Sequence, residues 1–218
     1  MYVKSMGLLF IVIAAVAAGL IFYNALRLKS HQLSPQEVNQ PAIQNDAFHR
    51  LSQSIQYKTL SNENFSEIDS SAFLSFQLFL KESFPEVFNH LELEIYNTFG
   101  LLLYWKGQES QLPSSVITAH LDVVPAEDMN KWTHPPFSGH DDGTYIWGRG
   151  SLDDKGSLMA ILETIQLLIN ENFTPKADMY FAFGHDEEID GKYGAATIAN
   201  ALKQKNIRAD FVLDEGMV

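Results

Sequence analysis

The sequence predicts an α/β domain with a mostly parallel sheet flanked by helices, preceded by one N-terminal transmembrane helix. Three observations carry this expectation. Runs rich in β-branched and aromatic residues alternate with segments of helical periodicity, the pattern of βαβ units. Three of those runs end in histidine or acidic residues, which puts polar chemistry at the carboxyl edge of the sheet. Residues 6–26 (MGLLFIVIAAVAAGLIFYNAL) carry no charge, and a bilayer core needs about 20 mostly apolar residues as helix.

In chain order, residues 1–29 form the expected anchor. A cleaved signal peptide is the competing reading, with Ala14, Ala15, Ala17, Ala18 and Gly19 available as a small-residue cleavage site; its apolar core is usually shorter, roughly 7–15 residues. Lys4 precedes the span while Arg27 and Lys29 follow it, a charge difference too small to set orientation. The expected location is a single-pass membrane protein with its α/β domain luminal or extracellular, or a secreted protein if the signal is cleaved. Residues 30–44, with Pro35 and Pro41 among glutamines, read as a linker.

Periodic structure begins at 45 and runs to 218. Ala47, Phe48, Leu51 and Ile55 recur at helical spacing. A second helix over 69–83 puts Phe73, Phe76, Leu80 and Phe84 near one face, and Pro85 limits it. LELEIYN and GLLLYWKG read as strands with a turn over 98–100, and SVITAH as a buried strand. Asp141-Asp142-Gly143 is a turn before TYIWG. A helix over 156–170, the strand ADMYFAFG, a helix over 193–205 and the strand ADFVLD complete the pattern. The sequence contains no internal repeat.

Composition excludes several functions. The 218 residues are 46% hydrophobic and 12% aromatic, the profile of a folded chain. Fifteen basic residues against 27 acidic ones give a net charge of −12; no basic stripe exists for phosphates, so no nucleic-acid partner is expected. There is no cysteine, which removes disulfides, thiolate metal sites and thiol catalysis.

Four acidic groups then call for explanation. SVITAH runs into His120-Leu121-Asp122, MYFAFG into His185-Asp186-Glu187-Glu188, and ADFVL into Asp214-Glu215, while Asp153-Asp154 precedes a helix in GRGSLDDKG. Converging at one sheet edge, these carboxylates repel unless cations lie between them. Histidine and carboxylates without sulfur suit zinc or a similar divalent ion. His120 and Asp122, two apart on an extended chain, point the same way. Two roles are open to Asp122: fixing the imidazole of His120, or acting directly on groups at the metal. Glu187 and Glu188 are adjacent and diverge, which favours one as general base and the other as ligand. His49, His90, His134 and His140 read as surface or packing residues. His185 lies near the cluster without being a ligand, and Asp186 and Asp190 flank it without binding.

The ordered motifs HLDVVPA, WTHPPFSG, GRGSLDDKGSLMA, GHDEE and LDEG closely resemble the di-zinc peptidases that include carboxypeptidase S, aminoacylase and glutamate carboxypeptidase. The resemblance covers about 45–218, and the N-terminal anchor resembles the carboxypeptidase S branch and its N-acyl amino acid hydrolase relatives. It implies a zinc-peptidase catalytic domain in which His120 and Asp214 bind one zinc, Asp153 bridges both ions and Glu188 binds the second. Glu187 is then the general base, Asp122 orients His120, and the bond between Asp153 and Asp154 is often cis in relatives. The implied reaction is amide hydrolysis by a water that two zincs acidify, on a small peptide or an N-acyl amino acid.

The family adds a further histidine ligand far downstream and inserts a second, smaller domain that often forms dimers. This sequence stops four residues past Asp214. The expectation is therefore an N-terminal fragment that keeps one zinc on His120, Asp153 and Asp214, does little hydrolysis alone, and dimerises only with the second domain. A non-catalytic, membrane-tethered metal-binding or interaction module is the other reading.

Overall fold

The structure is a computed structural model that describes residues 2–28, 43 and 45–215. The chain divides into two units, Met1–Ala42 and Ile43–Val218. The expected linker over 30–44 lies outside the described residues except for Ile43.

In the first unit helix α1 covers Tyr2–Leu26. Its described apolar side chains, among them Phe10, Ile11, Val16, Leu20, Ile21 and Phe22, are all exposed. Among the described residues, no helix is long and apolar enough to cross a membrane.

The second unit opens with α2 (Asn45–Ile55), α3 (Ser70–Ser83) and α4 (Pro85–His90). Asp69 starts α3, its carboxylate accepting the N–H groups of Ser71 and Ala72 at 3.0 and 3.3 Å, which satisfies donors that a helix start leaves unpaired. Pro85 ends nothing by itself: the helix breaks at Phe84, and Pro85 becomes the first residue of α4, where its missing N–H costs no bond. The strands β1 (Glu92–Tyr96), β2 (Gly100–Trp105) and β3 (Ser114–His120) follow. A two-residue-long pair, β4 (His140–Asp141) and β5 (Ile146–Trp147), forms a separate small hairpin. Then come α5 (Lys155–Asn170), β6 (Met179–Gly184), α6 (Ala195–Gln204) and β7 (Ala209–Leu213).

The main sheet has the order β1-β2-β6-β3-β7. It is mixed, which corrects the expectation of a mostly parallel sheet. β1 pairs antiparallel with β2, and β2 antiparallel with β6, whereas β6-β3 and β3-β7 are parallel. For β1 and β2 the cause is connection length. Only residues 97–99 separate β1 from β2, and such a tight turn can join antiparallel neighbours alone; parallel neighbours need long crossovers. Asn97 and Thr98 adopt positive φ to make that turn.

Helices cover both faces. Leu101, Leu103, Phe181 and Phe183 point into a large core with Phe73, Phe76, Leu80, Leu158 and Leu162 from α3 and α5. Leu102, Tyr180 and Ala182, the alternate positions of the same strands, cluster with Val116 of β3 and with Ile198 of α6 on the other face. Strands buried on both sides read as continuous apolar runs, which is why GLLLYW and MYFAFG show no polar alternation. The opposite edge strand, β7, is exposed throughout its length.

Candidate metal centre

Parallel pairing brings the chemistry together. In the β3/β6 register His120 lies opposite Gly184, so the carboxyl ends of both strands finish side by side. The turn of His185-Asp186-Glu187-Glu188 therefore emerges next to His120. Leu121 N–H donates to the Gly184 carbonyl at 2.8 Å, holding the two chains together one residue beyond the strands.

His120 is buried, 2% exposed. Its Nδ1 lies 3.0 Å from the backbone carbonyl of Asp122 and 3.3 Å from Asp122 Oδ1. Its Nε2 faces Asp153 Oδ1 at 2.9 Å, Glu215 Oε1 at 3.5 Å and Glu187 Oε2 at 3.8 Å. One ring nitrogen is thus fixed from behind while the other looks at three carboxylates. His120, Asp153 and Glu215 each offer a donor atom within 4.8 Å of the other two. This donor set, one imidazole and carboxylates without sulfur, fits a zinc-like divalent ion, and the carboxylate behind the imidazole is the usual partner of a metal-bound histidine.

The remaining predicted residues are placed as follows. Asp122, fully buried, accepts the N–H groups of Glu187 and Glu188 at 3.1 and 3.2 Å. Glu188 Oε1 accepts the Val124 N–H at 3.2 Å. Asp214 accepts the hydroxyl of Thr118 and the N–H of Glu215, so the grouping around His120 contains Glu215 where the resemblance implies Asp214. The peptide bond between Asp153 and Asp154 is cis, and Asp154 Oδ2 accepts the His120 N–H at 3.1 Å. His185 packs edge-on against Phe73 and Phe99, with ring centroids 6.4 and 5.4 Å away. Asp186 accepts the N–H groups of Tyr193 and Gly194 at 2.6 and 2.7 Å, a purely local role. His134 and His140 stack on each other, 3.9 Å between centroids.

Sequence reasoning did not single out Glu215, Asp154 or Lys155. Glu215 stood beside Asp214, and adjacent residues on an extended chain face opposite ways. The choice between them rests on register: Ile117 pairs with Leu213, which sets Asp214 beside Thr118, and a bulge at Ser114/Ser115 shifts β7 by one residue. A one-residue slip exchanges the two faces, and no local sequence signal marks it. Lys155 follows the acidic pair directly and carried a signal that was available: a lysine at the start of an apolar helix. Its ammonium is wholly buried, and burial pushes its pKa down to about 7 against the pull of Asp122. Gly150, in the same loop, has φ +84° and lies so close to Val123 that a Cβ would stand 2.7 Å from its Cγ1.

The electrostatics record the crowding. Burial lowers the pKa of His120, but hydrogen bonding and charge from Asp122, with Glu215 and Asp154, outweigh it and raise the imidazole to about 10. Burial raises Glu215 to about 7; His120 opposes this, and Asp154, Asp153 and Glu187 add to it. Glu187 and Glu188 are raised as well, first by burial. Asp122 goes the other way, because His120 and the Glu187 N–H overcome its burial. Carboxylates gathered this closely titrate upward unless a cation joins them.

Residues 116–217 match peptidase family M20/M25/M40. Over 208 residues the chain is 42% identical to "Probable carboxypeptidase S-like 2" of Dictyostelium discoideum, covering 91% of this chain and 40% of that protein. The chain belongs to this peptidase family. It is also 38% identical over 167 residues to an N-fatty-acyl-amino acid synthase/hydrolase of Danio rerio, covering 75% of this chain and 32% of that one. The fold is shared with an M20 family metallo-carboxypeptidase from Sulfolobus solfataricus, at a TM-score of 0.62 and 23% identity over 80% of this chain and 38% of that one. The chain therefore spans well under half the length of the curated relatives it matches.

Proposed function

We propose that the complete protein is a zinc-dependent amidohydrolase that cleaves a small peptide or an N-acyl amino acid. The observation that carries this reading is His120, held at Nδ1 by Asp122 and presenting Nε2 to Asp153, Glu215 and Glu187. The relatives' names supply the substrate classes, a probable carboxypeptidase S-like protein and an N-fatty-acyl-amino acid synthase/hydrolase.

A bound zinc supplies Lewis acidity to a water and to the amide carbonyl. His120, Asp153 and Glu215 would hold it, with Asp214 one residue from Glu215 as the alternative donor. Asp122 keeps His120 in the tautomer that frees Nε2 for the ion. Glu187, raised by burial, accepts the proton of the attacking water and returns it to the leaving amine. Glu188 and Asp153 would be donors for a second zinc, which would need further ligands to reach the usual three. The uncharged run over 6–26 supports a single-pass anchor.

The test uses the whole protein, loaded with zinc, on N-acyl amino acids and blocked dipeptides. Glu187→Gln should leave metal content intact and lower kcat by about 100-fold or more. Turnover undiminished in Glu187→Gln would remove Glu187 as the base and with it this mechanism.

A further inference from the structure

The segment over 54–60, from the last turn of α2 onward, touches the residues that follow His120 and the start of α5 next to Asp153. Thr59, fully buried, donates its hydroxyl to the Leu121 carbonyl at 2.6 Å, and its own carbonyl accepts the Val123 N–H at 2.9 Å. Leu60 continues this contact as a parallel bridge to Val123. These bonds bracket Leu121 and Asp122, directly after His120. A few residues earlier, the carbonyls of Ser54 and Tyr57 accept the Lys155 ammonium at 2.9 and 2.5 Å. Lys155 lies two positions after Asp153. Its ammonium also sits 4.5 Å over the Phe76 ring.

We propose that residues 54–60 form a positioning clamp, anchored by Lys155, that sets the separation between His120 Nε2 and Asp153. The chemistry of Lys155 argues for this over simple packing. Burying an ammonium is expensive unless its hydrogen bonds are made, and an apolar side chain of the same length would fill the space without that penalty. What the ammonium adds is direction. It binds the carbonyl of Ser54, in the last turn of α2, and that of Tyr57 just beyond it, and so locks the start of α5 to the same short segment that grips Leu121. The Arg50–Glu163 pair, bidentate at 2.6 and 2.8 Å, joins the same two helices about two turns further along α5 than Lys155.

The inference rests on the metal-centre reading, and the test separates the two. The full chain is purified in mild detergent and titrated with Co2+, followed by its visible absorption. Wild type should bind, Lys155→Met should bind about 10–100-fold more weakly with an altered spectrum, and Arg50→Met should lose thermal stability while binding as wild type does. Unchanged affinity and spectrum in Lys155→Met, or an equal loss in Arg50→Met, would overturn the clamp while leaving the metal centre standing. A wild-type chain that takes up no Co2+ overturns the metal centre and the clamp together. If Lys155→Met does not fold, Thr59→Val carries the test: a comparable loss supports the clamp, and wild-type affinity overturns it.

Discussion

Asp122 lies directly behind His120, its Oδ1 3.3 Å from Nδ1, while its two oxygens receive the backbone N–H groups of Glu187 and Glu188. One buried carboxylate thus orients the imidazole and the acidic turn at once. Asp122→Asn keeps the shape and removes the charge. Its expected effect is a loss of about 10–100-fold in zinc affinity, read by competition with a chelator of known affinity. Affinity within a factor of two of wild type would show that His120 is held by the Asp122 carbonyl alone.

Zinc uptake should release protons, and more at low pH. In the metal-free site the folded pKa of His120 is raised from 6.5 to about 10 and that of Glu215 from 4.5 to about 7. Both groups therefore hold a proton at pH 6, and only His120 does at pH 8.5. Ligands bind metal deprotonated, so about two protons should leave at pH 6 and about one at pH 8.5, with affinity rising as pH rises. Calorimetry in buffers of different ionisation heat measures this directly. A proton count that does not fall between those pH values contradicts the assignment of Glu215.

Glu215 and Asp214 can be told apart by substitution. Glu215→Gln should weaken metal binding by more than about 100-fold, beyond the effect of losing a supporting carboxylate. Asp214→Asn should act mainly through its contact with Thr118, a loss on the order of 1 kcal/mol in stability. The reverse ranking would make Asp214 the ligand.

The anchor has its own test. If residues 6–26 span a bilayer, the expressed chain should stay in the membrane pellet after a carbonate wash with its N-terminus intact. A soluble product beginning near Ser30 would establish signal-peptide cleavage instead.

Stability should depend on β6, which is buried on both faces. Phe183 is fully buried in the core, one residue before the strand ends in Gly184. Phe183→Ala should cost about 3–5 kcal/mol, visible as a lower urea midpoint. A loss under about 1 kcal/mol would mean the core around β6 is looser than its burial indicates.

Much of this was legible in the chain itself. The apolar runs of β2, β3 and β6 marked their strands because strands covered on both faces need no polar alternation. The acidic and histidine groups at their ends stood out because carboxyl ends of strands gather ligands in α/β sheets. The order of the motifs pointed to the peptidase family before any geometry was known. Other features depended on the folded chain. The antiparallel half of the sheet follows from where the β1-β2 hairpin docks, since β2 meets β6 far along the sequence. The face that Glu215 presents depends on a bulge between β3 and β7, and side-chain direction alternates too fast for sequence spacing to settle it. Lys155 gains its carbonyl partners only because α2 and α5 pack together, about a hundred residues apart in sequence. Local pattern specifies which atoms are available; long-range packing, which no local window contains, decides which of them meet.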